Sequence, residues 1–574
     1  MQKIRGLLTQ LYGSENVESI LNQIINLIEN YRHKIKSPSV FTESDIALIC
    51  YGDSFRSPGK PPLQSLHEFL IYYLDCAVSI VHLLPFFPFS SDDGFSVIDY
   101  KLVDPDLGDW TDIENLGQSY GLIIDAVVNH ISAKSKWFQE YLKDNPDYAN
   151  FFIETNPSIE LSSVIRARAH PLLTKFNRNG GEIHLWTTFS ADQIDLNFQN
   201  PIVLIKMLDV LLYYASKSAR ILRLDAIGHA WKKPGTTCLN LPETHCLVQL
   251  FCAVLNMVFP NVQLLTETNV PHEENIRYFG DGTNEAQLVY QFSLPGLVIH
   301  SFLTGNSVKL TEWAKTLTLN SDNCTYFNLL ASHDGIGIRP LLGILDASEI
   351  DNLVQTTLNL GGFVSYKNST ADGQQDPYEL NITLYDILAE PDQSKEMNIR
   401  KFINVHAILL TMQGIPAIYY HSLFASSGDH DGVKTSGQNR SINRKKLNLM
   451  DLDRELSDPQ SRASKVLTEI KQLIGIRKRH PAFNPYSHQE IHSLSEQLFC
   501  VERTSKDRNE KILAIHNLSD KLVEFSMSES SINNSHKTGN DLVTNRHINL
   551  RMPLFLAPYE FIWLKLSWVS GRKI

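Results

Sequence analysis

The sequence predicts a parallel (β/α)8 TIM barrel with a subdomain inserted after its third strand and an antiparallel β domain at its C-terminal end. Three observations predict it. Eight short apolar runs alternate with helix-length segments between residues 46 and 420, the pattern of a parallel sheet whose strands are buried on both faces. Polar and charged residues collect at the far end of those runs, where a barrel of this kind builds its sites. Past Pro481 the pattern changes to short alternating strands.

Residues 1–45 read as a polar helical extension, with Ile20, Ile24, Ile25 and Leu27 at helical spacing. The barrel, residues 46–480, opens with Ile46–Cys50 and continues through Val78–Leu84, Leu122–Val128, Ile221–Asp225, Val262–Glu267, Leu288–Phe292, Tyr326–Leu330 and Ala417–Tyr420. Pro201–Arg220 and Glu243–Phe259 are long enough to be connecting helices. Residues from about 135 to 200 are too many for one βα connection and are rich in aromatics and prolines around Arg166-Ala-Arg168-Ala-His170-Pro171. They are expected to form the inserted subdomain. Residues from about 341 to 400, polar near Tyr366–Tyr378, read as a second excursion over the barrel mouth. Leu498–Glu502, Ile512–His516, Leu522–Phe525 and Phe561–Leu566 are the expected strands of the C-terminal domain, residues 481–574.

Composition narrows the function classes. A net charge of -11 argues against a nucleic-acid partner, which needs a basic face. No stretch reaches the roughly 18 apolar residues of a membrane helix, and Met1–Leu8 lacks the apolar core of a signal peptide. The seven cysteines are scattered, with no CxxC pair or metal-ligand spacing, so buried reduced thiols and a cytoplasmic location are expected.

The polar residues carry the functional reading. Asp92 and Asp93 follow the second run, Asn129 and His130 the third, and His333 and Asp334 the seventh; Arg223 and Asp225 end the fourth and Glu267 the fifth. Residues two apart on a strand point the same way, so Arg223 and Asp225 project together into the mouth. Taken singly, each has a structural explanation: Asp125 a local capping role, Arg223 and Asp225 a salt bridge. Three carboxyls, Asp225, Glu267 and Asp334, converging on one mouth are another matter, because burying them together requires split pKa values or a nearby cation. The chemistry that uses such a trio is glycosyl transfer with retention: a nucleophile, a general acid/base and a carboxylate steadying the oxocarbenium-like transition state. Arg223 is expected to keep Asp225 ionised, and Glu267 to start protonated on a raised pKa.

These residues resemble the alpha-amylase superfamily (glycoside hydrolase family 13), whose short motifs stand here in order. They are Asp125-Ala-Val-Val-Asn129-His130, Arg223-Leu-Asp225-Ala-Ile-Gly-His229, Glu267-Thr-Asn269 and His333-Asp334, with Gln193-Ile-Asp195-Leu-Asn197 and Gly414-Ile-Pro416-Ala-Ile-Tyr-Tyr as accessory motifs. The resemblance implies Asp225 as nucleophile, Glu267 as acid/base and Asp334 as stabiliser. It implies that Asp92, His130, Gln193, Arg223, His333 and Arg440 hold the glucosyl ring, with Phe95 as a stacking platform. His82–Tyr100, Ala331–Pro340 and Asn439–Arg444 are similar to the sucrose phosphorylase subfamily. Thr266–His272, Trp186–Ser190, Gln193–Asn197 and Arg168–Thr174 are similar to its glucosylglycerate phosphorylase branch. The sucrose-using members tend to have His where Asn269 stands, Tyr where His229 stands and an aromatic where Ile165 stands. His229 also departs from the aromatic expected in the glucosylglycerate branch.

A phosphorylase must bring an anion beside its carboxylates, so it needs a cationic acceptor subsite, for which the arginine fork is suited. Arg166 and Arg168 are the expected anion ligands, with Arg339, Arg440 and Arg444 as further candidates; a solvated loop pair is the alternative for the first two. His229, Asn269 and Tyr378 are expected on the same side. Phosphate is then a co-substrate, with no separate cofactor and no metal; Asn129 reads as a structural hydrogen-bonding residue, although amylases often use its counterpart for calcium. The expected partners are a small glucoside and phosphate, with the chain a monomer or homodimer. Sucrose, sucrose 6-phosphate and glucosylglycerol phosphorylases, a plain glucosidase and a non-catalytic binding protein are the alternatives. The loop at 366–380 is a candidate for motion during acceptor exchange.

Overall fold

The eight apolar runs become a closed barrel of parallel strands in chain order: β1 (Ala47–Cys50), β2 (Ile80–Leu83), β3 (Gly121–Val127), β4 (Ala219–Asp225), β5 (Gln263–Thr266), β6 (Leu288–Tyr290), β7 (Thr325–Leu329) and β8 (Ile415–Tyr419). The computed structural model describes residues 1–32, 40–166, 168–319, 321–368, 375–527 and 536–568. Closure is made by β8 on β1, with Ala417 opposite Ala47. Nearly every strand residue is buried, as expected where helices cover the outer face and side chains fill the interior. β8 starts two residues before the run expected from sequence, because Pro416, normally a strand breaker, is accommodated opposite Asn328. Gly414 makes that entry possible: its φ is 132°, and a Cβ there would lie 2.6 Å from the Tyr326 carbonyl oxygen.

The N-terminal extension is less polar in effect than its sequence suggests. Its helices, α1 (Gln2–Tyr12) and α2 (Val17–Tyr31), bury Ile4, Leu7, Leu8, Ile20, Leu21, Ile24 and Ile28. They pack on the helices Pro201–Ser216 and Pro242–Val258. Ile25 and Leu27 are only partly buried, since Ile20, Ile24 and Ile28 form the inner stripe.

Two departures from plain alternation shape the mouth, and a third is appended beyond the barrel. After β3, His130–Ser132 pairs antiparallel with Gln193–Asp195, and between them stand the helix Lys136–Leu142 and the hairpin Leu173–Arg178/Gly181–Trp186. The next helix restarts cleanly: the Asn200 side chain accepts the Ile202 N–H at 3.0 Å, and Pro201 occupies the first turn. After β7, Ile336–Gly337, Gln375–Asn381 and Phe363–Asn368 form a three-stranded antiparallel sheet; the tip of the 366–380 loop, residues 369–374, lies outside the described residues. Beyond the barrel a six-stranded antiparallel sheet runs from His488 to Trp568. Asn404 of the helix Lys395–Thr411 ties it down by donating to the carbonyls of Asn517 and Tyr559 at 2.9 and 3.1 Å.

All seven cysteines are free thiols; six are buried, as expected, and Cys76 is exposed. Among the described residues no helix is long and apolar enough to cross a membrane.

Candidate active site

The barrel interior supplies the floor of the site. Cross-strand register sets Asp125 of β3 beside Arg223 of β4, and Val127 beside Asp225. Arg223 Nη1 bonds both Asp125 and Asp225, the latter at 2.7 Å. On the far side of Asp125, His82 of β2 brings Nε2 within 2.8 Å of its other oxygen. Asp125 is therefore no helix cap: it is a fully buried strand residue that anchors Arg223. Burial opposes its ionisation, but Arg223 and His82 outweigh that and hold its carboxyl below the usual range.

Asp225, Glu267 and Asp334 meet at one pocket above this floor. Burial is the largest influence on Asp225 and raises its pKa to about 6; Arg223 pulls it down, and the neighbouring Asp125 pushes it back up. The arginine thus keeps Asp225 ionised at neutral pH, by a narrow margin. Arg223 is shared, and burial exceeds what it supplies. Glu267 follows β5 and accepts the Ala226 N–H at 2.9 Å. Ala226 is held at φ 50° just after Asp225, so the turn closing β4 also aims an amide at the next strand's carboxylate. Burial raises Glu267 to about 7; Arg223 opposes this and Asp225 adds to it. Asp334 behaves oppositely. Burial would raise its pKa, yet Arg440, His333, Arg444 and Arg168 hold its carboxyl well below the usual range. The pKa values of the three carboxyls are split, which lets them share one cavity.

The residues expected around the sugar are gathered on one side. Gln193 Nε2 lies 3.3 Å from Asp92 Oδ2 and 3.1 Å from His130 Nε2, which lies 2.9 Å from the Phe95 carbonyl oxygen. Asp92, Asp93 and Gly94 all have positive φ, 53°, 46° and 109°. This turn is fixed by Arg444 on Asp93 at 2.5 Å and, at its flanks, by Asp192, which accepts from the hydroxyls of Ser91 and Ser96 at 2.5 and 2.7 Å. His333 stacks on Phe95 with 4.8 Å between ring centroids, so one face of the expected platform already has a partner. Burial lowers the His333 imidazole to about 3.

The residues expected around the acceptor line the same pocket. Arg166 donates to the His170 carbonyl, and Arg168 Nη1 to the Tyr378 hydroxyl at 2.9 Å. His229 is half-buried, its imidazole lowered to about 3 by desolvation, and Asn269 lines the same pocket. Sequence reasoning did not single out Phe189, Lys367 or Glu379, which also line this pocket. Phe189 sits edge-on to His229 at 5.5 Å. Lys367 and Glu379 belong to the hairpin beyond β7, and no spacing relative to the barrel motifs marks them.

Of the six cations lining the pocket, Arg223 and Arg440 are ion-paired. The other four, Arg166, Arg168, Arg339 and Lys367, have no carboxylate within 4.0 Å among the described residues. Burial lowers the pKa values of Arg166, Arg339 and Lys367; Glu274 and Asp376 act on Arg339 and Lys367 only from beyond that distance. An arrangement of this kind can hold a glucosyl unit on one side and an anion on the other.

Lys232 Nζ lies 2.5 Å from Asn129 Oδ1 and 2.7 Å from Asp195 Oδ2, fully buried, so an ammonium group fills that corner. Elsewhere among the described residues, Glu490, His492 and Glu502 on the C-terminal sheet could surround a metal ion, but Lys511 already pairs with Glu502 at 2.7 Å.

Residues 39–355 match the alpha-amylase catalytic-domain family. The chain is 43% identical to the glucosylglycerate phosphorylase of Escherichia coli, over 98% of this chain and all of that one. It is 48% identical to the glucosylglycerate phosphorylase of Allomeiothermus silvanus, over 87% and 90% of the two chains. Among solved structures, the sucrose 6F-phosphate phosphorylase of Thermoanaerobacter thermosaccharolyticum superposes with a TM-score of 0.71 at 26% identity, covering 83% of this chain and 94% of that one. With the ordered motifs converging on one barrel mouth and more than half the chain matched, this protein belongs to the alpha-amylase family.

Proposed function

We propose that the protein is a retaining α-glucoside phosphorylase that converts 2-O-α-glucosyl-D-glycerate and phosphate to α-glucose 1-phosphate and D-glycerate. The observation that carries this reading is that Arg166, Arg168, Arg339 and Lys367, with no carboxylate within 4.0 Å among the described residues, line the same pocket as Asp225, Glu267 and Asp334. A hydrolase using water has no need of unneutralised, partly buried cations, whereas an anionic acceptor compensates them. The similar proteins from Escherichia coli and Allomeiothermus silvanus, named for glucosylglycerate, favour glycerate over fructose or glycerol.

In the first step Asp225 attacks the anomeric carbon while Glu267 transfers its proton to the 2-oxygen of the departing glycerate. In the second, a phosphate oxygen attacks the same carbon, Asp225 leaves as a carboxylate, and Glu267 takes the phosphate proton back. Asp334 steadies the positive charge that develops on the ring in both. The glycerate carboxylate and the phosphate oxygens stand at similar distances from the reacting oxygen, so one set of cations serves both in turn. Phosphate is a co-substrate, no separate cofactor takes part, and the reaction runs in the cytoplasm.

The test is to incubate the protein with α-glucose 1-phosphate and D-glycerate, glycerol, fructose, fructose 6-phosphate or water, following released phosphate. Release that depends on D-glycerate is expected. Release with another acceptor corrects the acceptor alone, and equal release without any acceptor makes the protein a hydrolase. Arg168→Ala is expected to reduce kcat/KM for phosphate about 10- to 100-fold, the range for a lost charge-assisted hydrogen bond. Cleavage of α-glucosyl fluoride, which needs no anionic acceptor, should fall much less. Equal losses in the two assays would remove Arg168 from the anion site.

A further inference from the structure

Beside its four unpaired cations the site carries arginines of another kind, each covered by carboxylate. Arg223 is held by Asp125 and Asp225. Arg444, just behind, is held by Asp93 at 2.5 Å, with Asp92 and Asp334 at 3.8 and 3.7 Å. Arg440 is the most completely covered. Its Nη1 lies 2.5 Å from Asp334, while Nε and Nη2 form a two-pronged pair with Glu379 at 3.0 and 2.5 Å. All three nitrogens of that guanidinium are therefore engaged.

Glu379 is unlike the other carboxylates of the pocket. It comes from the hairpin beyond β7 and is only 3% exposed. Its neighbour Tyr378 receives Arg168 at the hydroxyl, at 2.9 Å. The hairpin is pressed against the loop that carries Asp334: a Cβ on Gly335 would lie 2.6 Å from Glu379 Cγ and 2.5 Å from the Leu380 carbonyl oxygen. Glu379 is thus set in place by backbone packing.

We propose that Glu379 is a specificity-determining residue that closes the outer edge of Arg440 to anions, so that phosphate and carboxylate are received only at the unpaired cations. Without it, Arg440 would present two parallel N–H groups and a charge to the cavity, the geometry that binds phosphate, sulfate or carboxylate with two bonds. An anion there would stand where the glucosyl ring is expected and compete with it. This rests on the phosphorylase reading for its purpose, but not for its test.

The test uses Glu379→Gln, Glu379→Ala and Glu379→Asp in the full-length protein, with hydrolysis of α-glucosyl fluoride as the activity and sulfate as the unreactive anion. In Glu379→Gln and Glu379→Ala, sulfate is expected to become competitive with the glucosyl donor, with an inhibition constant at least about tenfold below wild type, as a new two-bond anion site requires. Glu379→Asp, which keeps the charge, should stay within about threefold of wild type. An inhibition constant unchanged in Glu379→Gln and Glu379→Ala would overturn the assignment, whatever the loss of turnover, and make Glu379 a prop for Arg440. Failure of both to fold would overturn it as well. Because the donor needs no phosphate, a wild type that proves to be a hydrolase in the acceptor panel would end the phosphorylase reading and leave this result standing.

Discussion

Asp225→Asn is expected to lower kcat for glucoside cleavage by at least about 10⁴-fold, because it removes the nucleophile of the proposed double displacement and the neutral amide cannot replace it. The loss should be chemical and not a failure of the fold. Arg223 keeps Asp125 as a buried partner, and Asp125 keeps His82, so the charge on the barrel floor stays compensated when Asp225 becomes neutral. Thermal unfolding should therefore change little. The direct check is a slow fluorinated glucosyl donor followed by mass spectrometry of peptides. Wild type should carry the glucosyl adduct on the peptide containing Asp225, and Asp225→Asn should carry none. A variant that keeps more than a tenth of wild-type turnover, or an adduct found on another carboxylate, would reject Asp225 as the nucleophile.

The same region shows what a sequence makes legible. The barrel strands could be read because burial on both faces makes each run mostly apolar, His82, Asp125, Arg223 and Asn328 being among the exceptions, and the trio because a barrel exposes its strand ends. Pro416 hid the start of β8, since its tolerance depends on Gly414 and on the carbonyl of Tyr326 in the neighbouring strand. Asp125 was misread as a local capping residue because its partners, His82 and Arg223, come from flanking strands and meet it only through barrel register. Arg223 beside Asp225 was visible from their two-residue spacing on one strand, but the division of the arginine between two aspartates was not. Lys367 and Glu379 were missed for a different reason. They reach the pocket through an antiparallel hairpin whose register shifts between Ser365 and Tyr366, and a hairpin laid over a barrel bears no fixed sequence distance to the strands below it. Residues of the scaffold obey a period, whereas those on excursions are placed by packing.

Glu267→Gln should separate leaving groups and reshape the pH profile together. A general acid is worth about 10²- to 10⁴-fold where the departing oxygen needs a proton. Glucosyl transfer from glucosylglycerate is therefore expected to fall by about 10³-fold or more, while the first step with α-glucosyl fluoride, whose leaving group needs less protonation, should fall less than about tenfold. In wild type, kcat/KM for the glucoside should be bell-shaped and narrow. Burial, with the charge of Asp225 adding to it, raises Glu267 to about 7, so its proton is lost and activity declines as pH rises through that value. Burial raises Asp225 to about 6, so its charge is lost and activity declines as pH falls through that value. The two limbs belong to the interacting pair, since each charge disfavours the other. Glu267→Gln removes the group that deprotonates on the alkaline side. Its profile should lose the alkaline limb and keep the acidic limb near its wild-type position, since Glu267 is already protonated and uncharged where Asp225 titrates. An alkaline limb that survives in Glu267→Gln would mean that another group supplies the proton. In that case the raised pKa of Glu267 would reflect its burial beside Asp225 and nothing about the reaction.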